Sequence, residues 1–200
     1  PSTIRKVWRA DRRGAGDLVE QGLTKQDIVL GVAASGRTPY VLGALGYARS
    51  VGAPTIALAC NPLSTIGSVA DLAIEPIPGP EVLTGSTRLK AGTTQKMVLN
   101  ILSTGVMVRL GKVYSNLMID LRPTNSKLRR RAVRIVGEVA DLDAIHAEQL
   151  LAAANWDVKT AVVMALTGTS VTVARARLDV AHGHVRRALD DERQAPQDPN

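Results

Sequence analysis

The chain contains no phenylalanine, and with two tryptophans and three tyrosines its aromatic share is 2% of 200 residues. Such a sequence offers no row of flat side chains on which single-stranded bases could stack. Cysteine is nearly missing too. Cys60 stands alone, which excludes an intrachain disulfide and any cysteine-based metal cluster. It follows the strand pattern Thr55-Ile56-Ala57-Leu58-Ala59 and reads as a small buried strand-end residue, not a nucleophile. His146, His182 and His184 are the only histidines, none at metal-ligand spacing, and all three read as surface residues. No G-x-S-x-G elbow occurs, which disfavours a serine hydrolase. No apolar run approaches the roughly 20 residues that span a bilayer, and no charged-then-apolar signal opens the chain. The expectation is a soluble, cytoplasmic protein without a membrane partner.

What is present is a hydrophobic share of 45%, enough for a proper core in one ordinary domain with a small appendage. The formal charge is +7 and the pI near 10, but the excess is local. Residues 1–13 carry Arg5, Lys6, Arg9, Arg12 and Arg13 against Asp11, so five cations less one anion leave +4 there. A second cluster, Lys127-Leu128-Arg129-Arg130-Arg131 with Arg134, falls on a helical pattern and reads as a solvated basic face. Nucleic acid is therefore not expected as a partner.

Along the chain, Leu18–Leu23 reads as a helix end and 28–34 as a strand. Tyr40–Val51 repeats apolar residues at helical spacing and stops at Gly52. Strand 54–59, a helix near 64–70 and a short strand at 72–75 follow. This alternation predicts a parallel sheet with helices on both faces and sites at the strand C-termini. After Pro76, Pro78, Gly79 and Pro80, a long helix is expected over 88–110, with Met97, Val98, Ile101, Leu102 and Val108 on its apolar face. From Pro123 to Leu189 the periodicity is only helical. Asp143–Ala154, Asp157–Leu166 and Ser170–Leu178 form the pattern of a three-helix module. The tail 193–200 is expected to be disordered.

Two segments carry anion chemistry. The apolar run 28–34 ends in Ser35-Gly36-Arg37-Thr38-Pro39-Tyr40 and a helix, a turn type that holds phosphate at the C-terminal edge of an open α/β sheet. The stretch from Gly79 to Lys96 crowds hydroxyls, glycines, one carboxylate and three cations ahead of the long helix, so that short donors and backbone N–H groups can converge on an oxyanion. For Ser35, Arg37 and Thr38 the bland alternative is a helix cap beside an exposed arginine. For Glu81 it is a solvated loop carboxylate or a helix cap.

These segments, with Cys60-Asn61-Pro62, Gly79-Pro80-Glu81-Val82-Leu83-Thr84-Gly85-Ser86-Thr87-Arg88-Leu89-Lys90-Ala91-Gly92-Thr93 and Gly111-Lys112-Val113-Tyr114, resemble the sugar-isomerase (SIS) domain. The wording is most similar to the N-acetylmuramic acid 6-phosphate etherases, from about Gly16 to about Leu189. The resemblance implies an α/β fold: a parallel three-layer SIS sheet, N-terminally incomplete, over 1–122, then a small all-α, ubiquitin-associated-like helical module over 123–192. It implies a phosphosugar ligand, held by Ser35, Gly36, Arg37, Thr38, Glu81, Thr84, Ser86, Thr87, Arg88 and Lys90. No cofactor and no metal are implied, and pairing as a homodimer is.

The implied reaction cleaves a D-lactyl ether to give N-acetylglucosamine 6-phosphate and D-lactate. A base removes the C2 proton of the open-chain sugar, an acid assists lactate departure from C3, and water adds back. In the family the two catalytic glutamates sit in Asp-Ala-Ser-Glu-Cys and Ala-Val-Glu-Gly stretches, and a first phosphate turn reads Gly-Thr-Ser-Gly-Arg. None of these occurs here, and Trp8-Arg9 stands where Glu-Gly is expected. No catalytic residue is therefore assigned, and the chain is expected to be an inactive fragment of an etherase. The alternative is a noncatalytic phosphosugar-binding regulator.

Overall fold

The computed structural model describes residues 12–190. The Trp8-Arg9 alignment, most of the N-terminal basic cluster and the expected tail disorder lie outside them. The chain divides into two compact units between Ile101 and Leu102.

In the first unit a helix, α1 (12–20), leads through a turn to strand β1 (Val29–Val32). Helix α2 (Pro39–Val51), β2 (Thr55–Leu58), α3 (Thr65–Val69) and β3 (Leu72–Ile74) follow, then the first half of α4 (Lys90–Arg109). The strands form one parallel sheet in the order β1-β2-β3, with Gly31 beside Ala57 and Ala57 beside Ala73. α2 begins with proline at its first turn, where no amide hydrogen is needed, and ends as expected at Gly52, whose φ of 82° is left-handed.

One face of the sheet presents Val29, Gly31, Thr55, Ala57 and Ala73, and both α2 and α3 pack on it. A Cβ on Gly31 would lie 2.6 Å from Val41 Cγ1 and 2.9 Å from Leu45 Cδ1, so α2 approaches to where only glycine fits. Val41, Leu45, Ala57, Ala59, Ala33 and Ile66 form the core there. On the opposite face Leu58 is buried, but Val32 and Leu72 are exposed. The expectation of helices on both faces is thus corrected for α2 and α3, which share one face. The small residues Gly31 and Ala57 make that dense packing possible.

Polar clamps fix the strand ends. Buried Thr55 donates its amide and its hydroxyl to Asp71 Oδ2, at 2.9 and 2.7 Å, and accepts from the Asp71 amide at 3.0 Å. These bonds tie the starts of β2 and β3 together.

The second unit holds the rest of α4, a small antiparallel hairpin of β4 (Val113–Tyr114) and β5 (Leu117–Met118), and helices α5 (Ser126–Ala140), α6 (Ala144–Ala153), α7 (Val158–Thr167), α8 (Val171–Val180) and α9 (Val185–Asp190). The predicted three-helix pattern corresponds to α6–α8. Its caps are local: Asp143, Asp157 and Ser170 accept from the amides of His146, Thr160 and Val173. The module is larger than three helices, because α5, α9 and Ile119 share its buried core. His184 is half-buried against Gly111, contrary to its reading as a surface residue, while His146 and His182 are exposed. No single helix among the described residues is long and apolar enough to cross a membrane.

Candidate functional site

The predicted residues gather at the C-terminal ends of β1 and β2 and at the start of α4. β1 hands over to the Ser35–Thr38 turn. Gly36 has a φ of 67° and is buried, while Ser35, Arg37 and Thr38 are exposed. The turn is closed by the Gly36 amide donating to the Ala33 carbonyl at 2.8 Å, and more weakly by the Arg37 amide donating to Ser35 Oγ at 3.4 Å. Thr38 occupies the N-cap position of α2, yet its side chain makes no capping hydrogen bond. Its hydroxyl stands beside the first turn of a 13-residue helix without serving as its cap.

The second segment is organised by Glu81. Its carboxylate reaches nine and ten residues ahead, where Oε2 accepts from the Lys90 amide and Oε1 from the Ala91 amide, both at 3.0 Å. The loop 82–89 is thereby closed over the N-terminus of α4, with Gly85 at a φ of 86° and the Ser86 amide donating to the Leu83 carbonyl. The Ala91 and Lys90 amides hold the Glu81 carboxyl below the usual carboxylate range. Glu81 thus caps the helix in this structure, and a carboxylate so stabilised is poorly suited to act as a base. Thr84, Thr87, Arg88 and Lys90 are exposed along this loop, and Ser86 is half-buried. A shallow cavity of about 440 Å³ lies here, lined by Pro78, Leu89, Lys90, Thr93 and Thr94. Of the predicted set it takes in Lys90.

The end of β2 joins the two segments. The Cys60 amide and Asn61 Nδ2 both donate to the Ala34 carbonyl, each at 3.0 Å, and Cys60 Sγ lies 3.7 Å from the Ala91 carbonyl. Burial, with the nearby Glu81 charge, pushes the Cys60 thiol up, consistent with a structural cysteine. One dipeptide therefore holds Ala34, where the chain enters the Ser35–Thr38 turn, on one side and meets the α4 N-terminus on the other.

Sequence reasoning missed Glu75, directly after β3. Its Oε2 accepts from the Leu63 amide and its Oε1 from the Ser64 amide, both at 2.9 Å. No local motif signals this, since the partners lie eleven and twelve residues upstream. Among the described residues, no group of three or more histidine, cysteine or carboxylate side chains is arranged to hold a metal ion.

Residues 14–104 match the model of the SIS domain. The chain is 54% identical over 180 residues to an N-acetylmuramic acid 6-phosphate etherase of Mesorhizobium japonicum, covering 90% of this chain and 59% of that protein. It is 52% identical to proteins of the same name from Enterobacter sp. and Salmonella schwarzengrund, covering 89% and 90% of this chain and 60% and 61% of those proteins. The chain thus spans about three fifths of the length of the curated relatives it matches.

Proposed function

From the premise that residues 14–104 are an SIS domain in a homologue of N-acetylmuramic acid 6-phosphate etherases, we propose that the chain carries part of the phosphosugar site of such an etherase. The observation that carries this reading is the joint attachment of Ala34, directly before the Ser35–Thr38 turn, and of Ala91 in the first turn of α4 to Cys60-Asn61. In this reading Ser35, Thr38 and the Gly36-Arg37 backbone grip the phosphate, Arg37 neutralises it, and Thr84, Ser86, Thr87, Arg88 and Lys90 line the sugar end. Glu81 belongs to the pocket as the clasp that shapes that loop.

The reaction would be removal of the C2 proton, departure of D-lactate with its ether oxygen from C3, and addition of water to the resulting double bond. Each proton transfer calls for an acid or base poised near neutral pH, a role that carboxylates tuned by their surroundings suit. Glu81 is held by two amides, and the family's glutamate stretches do not occur in this sequence. The chain itself is therefore read as binding without cleaving. The alternative of a noncatalytic regulator gains no support from relatives named as etherases. A cytoplasmic setting and pairing with a second copy through the exposed Met97, Ile101 and Val108 of α4 complete the reading.

Isothermal titration with N-acetylglucosamine 6-phosphate tests the site. Binding that Arg37→Ala weakens about tenfold, as expected for loss of one charge-assisted contact, is the supporting result. Absence of any binding, or binding indifferent to Arg37 and Thr38, overturns it. D-lactate release above background from N-acetylmuramic acid 6-phosphate would overturn the noncatalytic part.

A further inference from the structure

We infer that Glu75 is a positioning residue for the Ser35–Thr38 turn, acting through the backbone of Leu63 and Ser64. The inference rests on the phosphate-gripping role proposed above for that turn.

The path is short and continuous. Glu75 accepts from two successive amides with its two oxygens, Leu63 on Oε2 and Ser64 on Oε1, at 2.9 Å each. Those amides belong to the turn between β2 and α3, which is not relaxed. Leu63 is left-handed, at a φ of 52°, and its side chain is 96% exposed, so no packing of its own holds it there. The doubly accepting carboxylate is the interaction seen to stabilise it.

Ser64, by contrast, is buried. Its Oγ accepts from the Gly67 amide at 2.9 Å to begin α3, and its Cβ lies where a side chain on Gly36 would have to be. The next contact closes the path, with the Ile66 amide donating to the Gly36 carbonyl at 2.9 Å. The position of Gly36 is therefore fixed by Ser64 and Ile66, and theirs by Glu75. Ser35 and Arg37 flank Gly36 directly. Gly67 contributes by omission, because a Cβ there would collide with Glu75 Oε1.

The chemistry requires a carboxylate. Two N–H donors face the two oxygens, so glutamine, with the same shape, would turn its own NH₂ towards one of them and lose that bond. Aspartate keeps both acceptors on a stem shorter by one methylene. Hydrogen bonding from Ser64, by side chain and amide, and then from the Leu63 amide holds the Glu75 carboxyl below its ordinary value, as expected for a group that works ionised.

The test uses the full chain with Glu75→Gln and Glu75→Asp. Two quantities are read: affinity for N-acetylglucosamine 6-phosphate against unphosphorylated N-acetylglucosamine, and amide hydrogen exchange along the sheet. The expected result for Glu75→Gln is phosphosugar binding weaker by about tenfold, the loss confined to the phosphorylated ligand, with exchange at the Ile66 amide faster by a similar factor. Protection in β1 and β2 stays unchanged, and Glu75→Asp recovers part of both losses.

Unchanged affinity with unchanged Ile66 exchange overturns the inference. So does acceleration spread evenly over β1, β2 and β3, which would make Glu75 a general stabiliser. If the unaltered chain binds no phosphosugar, the proposed function falls, and exchange at Ile66 alone still decides whether Glu75 holds this path.

Discussion

In the helical unit sixteen apolar residues, from Ile119 to Ala188, form one buried cluster, whereas the cluster under the sheet has six, three of them alanines. The sheet unit supplements its small core with carboxylate clamps: Asp71 on Thr55, Glu75 on the Leu63-Ser64 amides, and Glu81 on the Lys90-Ala91 amides. The helical unit uses polar groups mainly at helix starts. Burial is indifferent to pH, while a carboxylate acceptor is not, so the two units should respond differently to the same disturbance.

The largest effect should come from the cores. Leu151→Ala in α6 and Leu45→Ala in α2, both fully buried, should each cost about 2–5 kcal/mol. Denaturation followed by residue-resolved exchange should show each loss in its own unit. Equal loss of protection in both units from either substitution would erase the distinction drawn here.

Acid comes next. The carboxyls of Asp71, Glu75 and Glu81 are all held low, Asp71 first by the Thr55 hydroxyl and then by its amide, so folding favours their ionised forms. Their contribution is complete above the ordinary values of 3.8 for aspartate and 4.5 for glutamate, and disappears as pH falls through the lower folded values. In the helical unit Asp143 is held low in this way, by the His146 amide and side chain. Melting followed by NMR between pH 6 and pH 3 should therefore show the sheet unit weakening first. Loss of the helical unit at the higher pH would reverse the comparison.

Smaller effects sharpen it. Asn125 accepts from the Leu128 amide at 2.9 Å to begin α5, and Asn125→Ala should cost the helical unit about 1 kcal/mol, visible as a lower denaturant midpoint. Smallest is Arg129, whose guanidinium stacks 4.8 Å from the centre of the Trp156 ring. Arg129→Ala should cost about 0.5–1 kcal/mol and alter the tryptophan emission, with no change in the sheet unit. A large loss there would mean that the basic face of α5 is structural and not merely solvated.

Local signals made most of this architecture legible. Gly52 ended α2, and Asp143, Asp157 and Ser170 began α6, α7 and α8, because caps act within one turn of their own residue. α4 matched its expected span to within two residues at each end. The hairpin at 113–118 was invisible, since two-residue strands show no alternation and its turn places Ser115, not glycine, at a φ of 53°. The placement of α2 and α3 on one face was not legible either, because it follows from the strand order β1-β2-β3 with right-handed crossovers, and strand order leaves no local signal in the sequence. At the candidate site, Ser35–Thr38 could be found from the strand-to-helix transition. Glu75 could not, and Glu81 kept two readings, because their partners lie nine to twelve residues away and only folding brings them close.

The absence of a side chain at Gly31 has a consequence for how this sequence can drift. With α2 pressed against β1 there, and Ala57 beside it in β2, tolerance to substitution should alternate along β1 with a period of two. Positions 31, 55 and 57 would be nearly frozen, as would fully buried Leu58 on the other face, whereas exposed Val32, Leu72 and Ala73 would accept many replacements. A saturation library scored for folded protein should show that alternation sharply. The permitted mutations of β1 would then accumulate on the face turned away from α2, leaving its buried face as the slow clock of the lineage.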